Sequence, residues 1–226
     1  MTPSLFITAT DTGVGKTFVG SLLAESIVES GKTVGVLKPF SAGDREDAQA
    51  LTRATGRPGS GKEATLLFCP RPLAPAAQIG LGPQGKRRVQ NTFTKSVAVL
   101  KDLQRKNECV LVEGLGGLLA PLGGPYYVLD LLIRLDLPVW IIARASLGTL
   151  NHTLLTVEAL KMRGVLPRRI LLNNPTGRDL SERSNAKIIK GLSGLPVTEI
   201  PRASSFPKRR EAKRRLWHAF KSDFYI

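Results

Sequence analysis

Short apolar runs alternate along the chain with longer stretches in which apolar positions recur every three or four residues. The runs Leu5–Ala9, Thr33–Leu37, Cys109–Val112, Pro138–Ala143, Arg169–Leu172 and Val197–Ile200 predict strands. The spacing of Val19, Leu22, Leu23 and Ile27 predicts a helix over Lys16–Glu29, stopped by Gly31. Further helices are predicted over Lys86–Arg105, Tyr126–Leu135, Asn151–Arg163 and Ser181–Leu192. This alternation is the signature of βα units on a parallel sheet. The fold class is therefore α/β, a mostly parallel sheet flanked by helices. Residues 56–85, rich in Gly and Pro, predict a surface excursion beside the sheet.

A chain of 226 residues is expected to form one medium domain. Folding at this length buries roughly 70% of the unfolded surface, so no disulfide or metal staple is needed. Charged residues at 23% exclude a disordered tail protein and a membrane bundle. No apolar run reaches the ~18 residues of a membrane span. The first residues lack a basic leader and a long apolar core, so no signal peptide is expected. Cys69 and Cys109 show no metal-ligand spacing and fit a reducing, cytoplasmic location.

The net charge is +15, and the last 25 residues hold eight basic side chains against two acidic ones. Such a balance suits anionic ligands and would also attract nucleic acid nonspecifically. Residues 1–206 are read as one domain. Residues 207–226 are read as a basic tail or helix packed on it through Leu216, Trp217 and Phe220 rather than as a nucleic-acid or membrane-surface arm.

The segment Ala9-Thr10-Asp11-Thr12-Gly13-Val14-Gly15-Lys16-Thr17 carries the strongest chemical signal. A predicted strand enters it and a predicted helix leaves it, the context that makes a phosphate loop credible. Backbone N–H groups of Gly13, Val14 and Gly15 would cradle phosphate oxygens at a helix N-terminus. Lys16 would reach the β/γ-phosphates, and the Thr17 hydroxyl would bind Mg²⁺. The usual pattern has Gly at position 10, where this chain has Thr. The chain is read as P-loop NTPase-like, with a nucleoside triphosphate site. Glu113, at the end of the apolar strand Cys109–Val112, and Lys38, at the end of the second strand, both reach the sheet edge where α/β folds bind ligands.

These residues belong to a wider resemblance. The loop Thr10-Asp11-Thr12-x-Val14-Gly15-Lys16-Thr17 is similar to that of the dethiobiotin synthetases. So are Lys38-Pro39 with the following Asp47-Ala48-Gln49-Ala50-Leu51, and Val112-Glu113-Gly114-Leu115-Gly116-Gly117. Leu147-Gly148-Thr149-Leu150-Asn151-His152-Thr153-Leu154-Leu155-Thr156 and the closing Glu199-Ile200-Pro201 complete the set in the family's order.

The resemblance implies conversion of 7,8-diaminopelargonate, CO₂ and ATP into dethiobiotin, ADP and phosphate, through a carbamate that ATP phosphorylates. It implies Thr17, Asp47 and Glu113 as Mg²⁺ ligands, and Lys16, Lys38 and Thr12 as catalytic groups. Ser41, Gly116 and Gly117 would line the substrate's reacting end. Thr149, Leu150 and Asn151 would receive its far carboxylate across a homodimer interface. Asn173 would read adenine through its amide. Read from the residues alone, Asp47 is equally an ordinary solvated acid, Asn151 a helix cap, Asn173 a strand-end turn residue and Gly116-Gly117 a structural turn. His152 is read as structural.

Three departures stand out. Ala9 replaces a family Gly, Ala42 replaces a family hydroxyl that here has moved to Ser41, and the basic tail has no counterpart. The rival reading is a partitioning or septum-placement switch ATPase with a deviant phosphate loop. Such a loop carries a signature lysine, whereas positions 11 and 12 here are Asp and Thr. No membrane or nucleic-acid partner is expected.

Overall fold

The computed structural model describes residues 2–57, 59, 61–173 and 175–225. The chain runs β1 (Ser4–Ala9), α1 (Lys16–Glu29), β2 (Val34–Leu37), β3 (Phe40–Ala42), α2 (Glu46–Ala54), β4 (Leu67–Cys69), α3 (Pro75–Ile79) and α4 (Pro83–Lys106). It continues with β5 (Cys109–Glu113), β6 (Pro121–Gly123), β7 (Tyr126–Tyr127), α5 (Val128–Leu135), β8 (Val139–Arg144) and α6 (Thr149–Lys161). The last elements are β9 (Arg169–Asn173), α7 (Glu182–Ser193), β10 (Val197–Ile200) and α8 (Phe206–Phe224).

Six strands form one parallel sheet in the order β10-β9-β8-β1-β5-β2. All residues of β1 and β5 are buried, because helices cover both faces. Successive side chains point to opposite faces, so each strand feeds two cores. Phe6, Val110, Val112 and Ile141 pack on one side, and Leu5, Ile7, Leu111 and Trp140 on the other. In the parallel register Ile7 lies opposite Glu113, Ala9 opposite Ile142 and Arg144 opposite Asn173. The carboxyl ends of the strands therefore align in one row, and the site is built on that row.

Three expectations are corrected. The helix predicted over Tyr126–Leu135 begins only at Val128, because Tyr126–Tyr127 pair antiparallel with β6. The Tyr127 N–H donates to Asp130 Oδ2 at 2.8 Å, which ties the helix start. The helix predicted from Asn151 begins two residues earlier, at Thr149, after Gly148 in a left-handed turn. The excursion 56–85 contains structure of its own, since β4 pairs parallel with β3 and α3 follows it.

The basic tail is the helix α8. Its Ala212, Leu216, Ala219 and Phe220 are buried, and Phe220 meets Trp140 edge to face with ring centroids 6.1 Å apart. Arg209 pairs with Glu25 at 2.6 Å and Lys213 with Glu29 at 2.6 Å, both acids lying on α1. No helix among the described residues is long and apolar enough to cross a membrane.

Candidate active site

The row of strand ends begins with the loop after β1. Gly15, with φ +97°, caps α1, and a Cβ there would drive into the Asn173 side-chain amide. Gly is thus required both by the turn and by the approach of β9. Lys16 is the first helical residue and its Nζ donates to the Asp11 carbonyl at 3.3 Å, inside the loop. Burial lowers the Lys16 pKa below the ordinary lysine value, offset in part by Glu113. The Ala9 methyl is absorbed by the apolar core, where the residue is fully buried.

Beside the loop, four elements converge on one charged cluster. Thr17 Oγ1, from α1, donates to Glu113 Oε1 at 2.8 Å. Lys38 Nζ, from the end of β2, pairs with the same Glu113 oxygen, and with Asp47 Oδ2 of α2 at 2.9 Å. Burial alone would lower the Lys38 pKa, yet the Glu113 and Asp47 carboxylates hold it above the ordinary lysine value. Asp47, in turn, sits below the usual carboxylate range: its own burial works against this, and the Lys38 ammonium prevails. Lys38 and Glu113 are each about 1% exposed, while Asp47 is half open to solvent. Glu113 Oε2 is buried without a partner.

This donor set fits a magnesium ion. It offers hard oxygens, few in number, and one buried carboxylate oxygen lacks any partner. Among the described residues no three or more His, Cys, Asp or Glu gather into a metal-holding group, so the protein would supply such an ion with few ligands.

The glycine turn after β5 closes over the phosphate loop. A Cβ on Gly116 would stand 3.3 Å from Thr12 Oγ1, and one on Gly117 3.3 Å from the Thr10 carbonyl. Gly116 therefore neighbours Thr12, and Gly117 neighbours the loop backbone at Thr10. Ser41 is not tied to this group: its hydroxyl donates to the Asp44 carbonyl at 3.0 Å. Thr149 Oγ1 lies 3.2 Å from Thr153 Oγ1, buried at the start of α6, whereas Asn151 is exposed two residues on.

On the other side of the loop a cavity of about 570 Å³ is lined by Gly13, Val14, Gly15, Phe18, Asn173 and Arg144 among others. Asn173 Nδ2 donates to the Val14 carbonyl at 2.9 Å, and its Oδ1 is buried without a partner. Sequence reasoning missed two residues on the cavity wall. Glu182 accepts the Thr176 and Gly177 N–H groups at 2.9 and 2.6 Å, fixing the loop after β9. Arg144 ends β8 as Glu113 ends β5, so the same strand-end logic would have found it.

Fold and phosphate loop together define a P-loop NTPase. A family model described as an AAA domain matches residues 3–208. The chain is 38% identical over 218 residues, 96% of its length and 99% of the relative's, to the ATP-dependent dethiobiotin synthetase BioD of Endomicrobium trichonymphae. It is 39% identical to that of Aquifex aeolicus, over 88% of each chain. The chain belongs to the ATP-dependent dethiobiotin synthetase family. Among solved structures it resembles the MinC:MinD cell division complex of Aquifex aeolicus, with a TM-score of 0.62 at 12% identity over 99% of this chain and 96% of that one. MinD with Mg-ADP from Pyrococcus horikoshii matches with a TM-score of 0.61 at 15% identity, over 98% of this chain and 96% of that one. Those likenesses are of fold.

Proposed function

We propose that the chain closes the ureido ring of dethiobiotin from 7,8-diaminopelargonate, CO₂ and ATP. The observation that carries this reading is the Lys38 ammonium, buried between Glu113 and Asp47 beside the phosphate loop. One substrate amine adds to CO₂, forming a C–N bond and releasing a proton. A carbamate oxygen then attacks the γ-phosphorus of ATP, and the β,γ-bridging P–O bond breaks as ADP leaves. The second amine attacks the carbonyl carbon of the carbamic-phosphoric anhydride, expelling phosphate and losing a proton.

Every stage moves negative charge among oxygens, so catalysis is positioning and charge neutralisation. Lys16 and Lys38 supply fixed cations from the two sides of the transferring group. The Gly13, Val14, Gly15 and Thr17 backbone holds the phosphates. Thr17, Asp47 and Glu113 would hold a magnesium ion, which neutralises phosphate charge when bound. Thr12, Gly116 and Gly117 border the space beside the loop and would orient the carbamate. The departure at Ala42 removes one hydroxyl from that border, and Ser41, whose proton goes to the Asp44 carbonyl, would serve the substrate as an acceptor.

Asn173 would accept a hydrogen bond from adenine through its free Oδ1. Thr149, Leu150 and Asn151, at the N-terminal turn of α6, would receive the substrate's far carboxylate. Leu147 and Leu155 are strongly exposed on either side of Asn151, which supports a homodimer with the site at its interface.

The test is trapping of labelled bicarbonate. Protein, Mg-ATP and the diamine are incubated with Lys16→Ala as control, and acid-stable label is counted, since a free carbamate loses its label in acid. Stable label only with ATP, diamine and Lys16 is expected. ATP hydrolysis without stable label would sink the reading and favour a switch ATPase.

A further inference from the structure

Arg144 ends β8 in the row of strand ends, register partner to Asn173 on one side. On the other side lies Asp11, two residues beyond Ala9, whose own partner is Ile142. Arg144 Nη2 donates to Asp11 Oδ2 at 3.1 Å, while its Nε is buried without an acceptor. Asp11 is anchored from behind, accepting the Thr12 N–H through Oδ1 at 2.7 Å. Both partners of the ion pair are about half exposed, so water screens it and it is easily exchanged. Arg144 nevertheless lines the same cavity as Gly13, Gly15 and Asn173.

The other cations of the row are already engaged. Lys38 is held by two carboxylates and Lys16 lies inside the loop. A triphosphate brings more negative charge than those two neutralise. A guanidinium fork matches phosphate oxygens in pairs, which a lysine does not.

We propose that Arg144 is a nucleotide-binding residue whose guanidinium exchanges the Asp11 carboxylate for oxygens of the triphosphate chain. Asp11 holds the arginine at the cavity mouth until nucleotide arrives. The inference rests on the reading that this cavity takes a nucleoside triphosphate.

The experiment is displacement of a fluorescent ATP analogue by ATP and by adenosine, with no diamine present. It compares wild type, Arg144→Ala, Arg144→Lys and Asp11→Asn, with thermal unfolding of each. Arg144→Ala is expected to weaken ATP about tenfold or more, a charge-assisted contact's effect, and to leave adenosine within about twofold. Arg144→Lys regains part of the loss. Asp11→Asn keeps an oxygen for the Thr12 N–H, removes the competing charge, and binds ATP at least as well as wild type. Unchanged ATP binding in Arg144→Ala, or equal losses for ATP and adenosine, would overturn the proposal. So would a loss in Asp11→Asn matching that in Arg144→Ala, because the pair itself would then be holding the loop. If Arg144→Ala fails to fold, Arg144→Gln takes its place with the same expectations. A wild-type chain that binds no ATP would overturn the nucleotide reading as well, and shows itself by the failure of all variants alike.

Discussion

Lys38 and Glu113 form a buried ion pair between the ends of adjacent strands, one residue beyond the register pair Leu37–Val112. Two charges this deep are expensive unless fully partnered. Asp47 and Thr17 provide further partners while Glu113 Oε2 stays unpaired, so the cluster is organised before any ligand binds and keeps one oxygen for a ligand. Glu113→Gln halves the negative charge facing Lys38. Urea unfolding is expected to show a loss of about 3 kcal/mol, near the lower end for breaking a buried pair because Asp47 remains. Turnover with saturating Mg-ATP is expected to fall about 10²-fold or more. Lys38→Met should lower turnover comparably, and the two losses combined should be less than additive in a double-mutant cycle. Full turnover in either single variant would remove the pair from the chemistry.

Lys16 yields a pH prediction. Its folded-state pKa lies below the ordinary lysine value of 10.5, chiefly through burial. The ammonium of the free protein is therefore lost at a lower pH than that of an ordinary lysine. ATP association, measured as a function of pH, should bend downward on an alkaline limb that sets in below pH 10.5. The same burial makes the charged form costly in the folded state, so Lys16 lowers stability below its folded pKa and ceases to do so as pH rises past it. Lys16→Met should bind ATP weakly with no such limb, and any stability it gains over wild type should be largest at neutral pH and shrink as pH rises past the folded Lys16 pKa. An identical limb in Lys16→Met would assign the titration to another group.

The six strands of the main sheet are legible because both faces are covered, which turns each strand into an uninterrupted apolar run. The small pairs β3–β4 and β6–β7 are not. They are two or three residues long and lie among Gly and Pro, too short to show an alternation; β3 in addition owes its form to a partner well along the chain. Lys16 and Thr17 are legible because a phosphate loop is a local motif, and Lys38 and Glu113 because each ends a readable strand. Arg144 also ends a readable strand, and what its neighbours hide is its pairing with a residue 133 positions away; Glu182 acts on loop backbone and leaves no pattern at all. Asp47 needed the resemblance, since nothing near it in sequence separates it from Asp44 and Glu46.

Asn173 should set the choice of base. One of its two Nδ2 protons goes to the Val14 carbonyl, and Oδ1 is a buried acceptor without a partner. An acceptor selects a base with an exocyclic amino group and disfavours a carbonyl in that place. Wild type should bind ATP in preference to GTP, and Asn173→Ala should lose about tenfold in ATP affinity with little change for GTP. A preserved ATP-to-GTP ratio in Asn173→Ala would place base recognition elsewhere.

The exposed face of α6 gives a prediction for assembly. Leu155 is 62% exposed one turn beyond Asn151, and Leu147, 78% exposed, precedes the helix. Leu155→Glu should convert the proposed dimer to a single chain of 24.5 kDa by light scattering, since a charge in an apolar interface is left without a partner. The KM for the diamine should rise about tenfold or more while ATP affinity stays within twofold, because the cavity proposed for ATP is lined by the phosphate loop and the ends of β8 and β9 and not by Leu155. A dimer that persists with unaltered kinetics would move the interface off α6.

The C-terminal helix is predicted to be part of the core rather than a detachable tail. Asp223 accepts from Trp140 Nε1 at 2.7 Å and from Arg169 Nη2 and Nε at 2.5 and 3.0 Å, and all three side chains are largely shielded. Asp223→Ala strands an indole N–H and a guanidinium between the sheet and α8. The loss is expected to be about 3 kcal/mol by denaturant unfolding, with the slope unchanged. Lys208→Ala, on the exposed side of the same helix, should stay within about 0.5 kcal/mol. Removing residues 207–226 uncovers Trp140 and the apolar face beneath Leu216 and Phe220, so the shortened chain should aggregate rather than accumulate as active enzyme. The hydrogen bonds of Asp223 run to Trp140 and Arg169 and not to the charged cluster, so kcat of Asp223→Ala, measured well below its melting temperature, should match wild type. A truncated chain that stays soluble and retains its melting temperature would show that the sheet is stable without this cover.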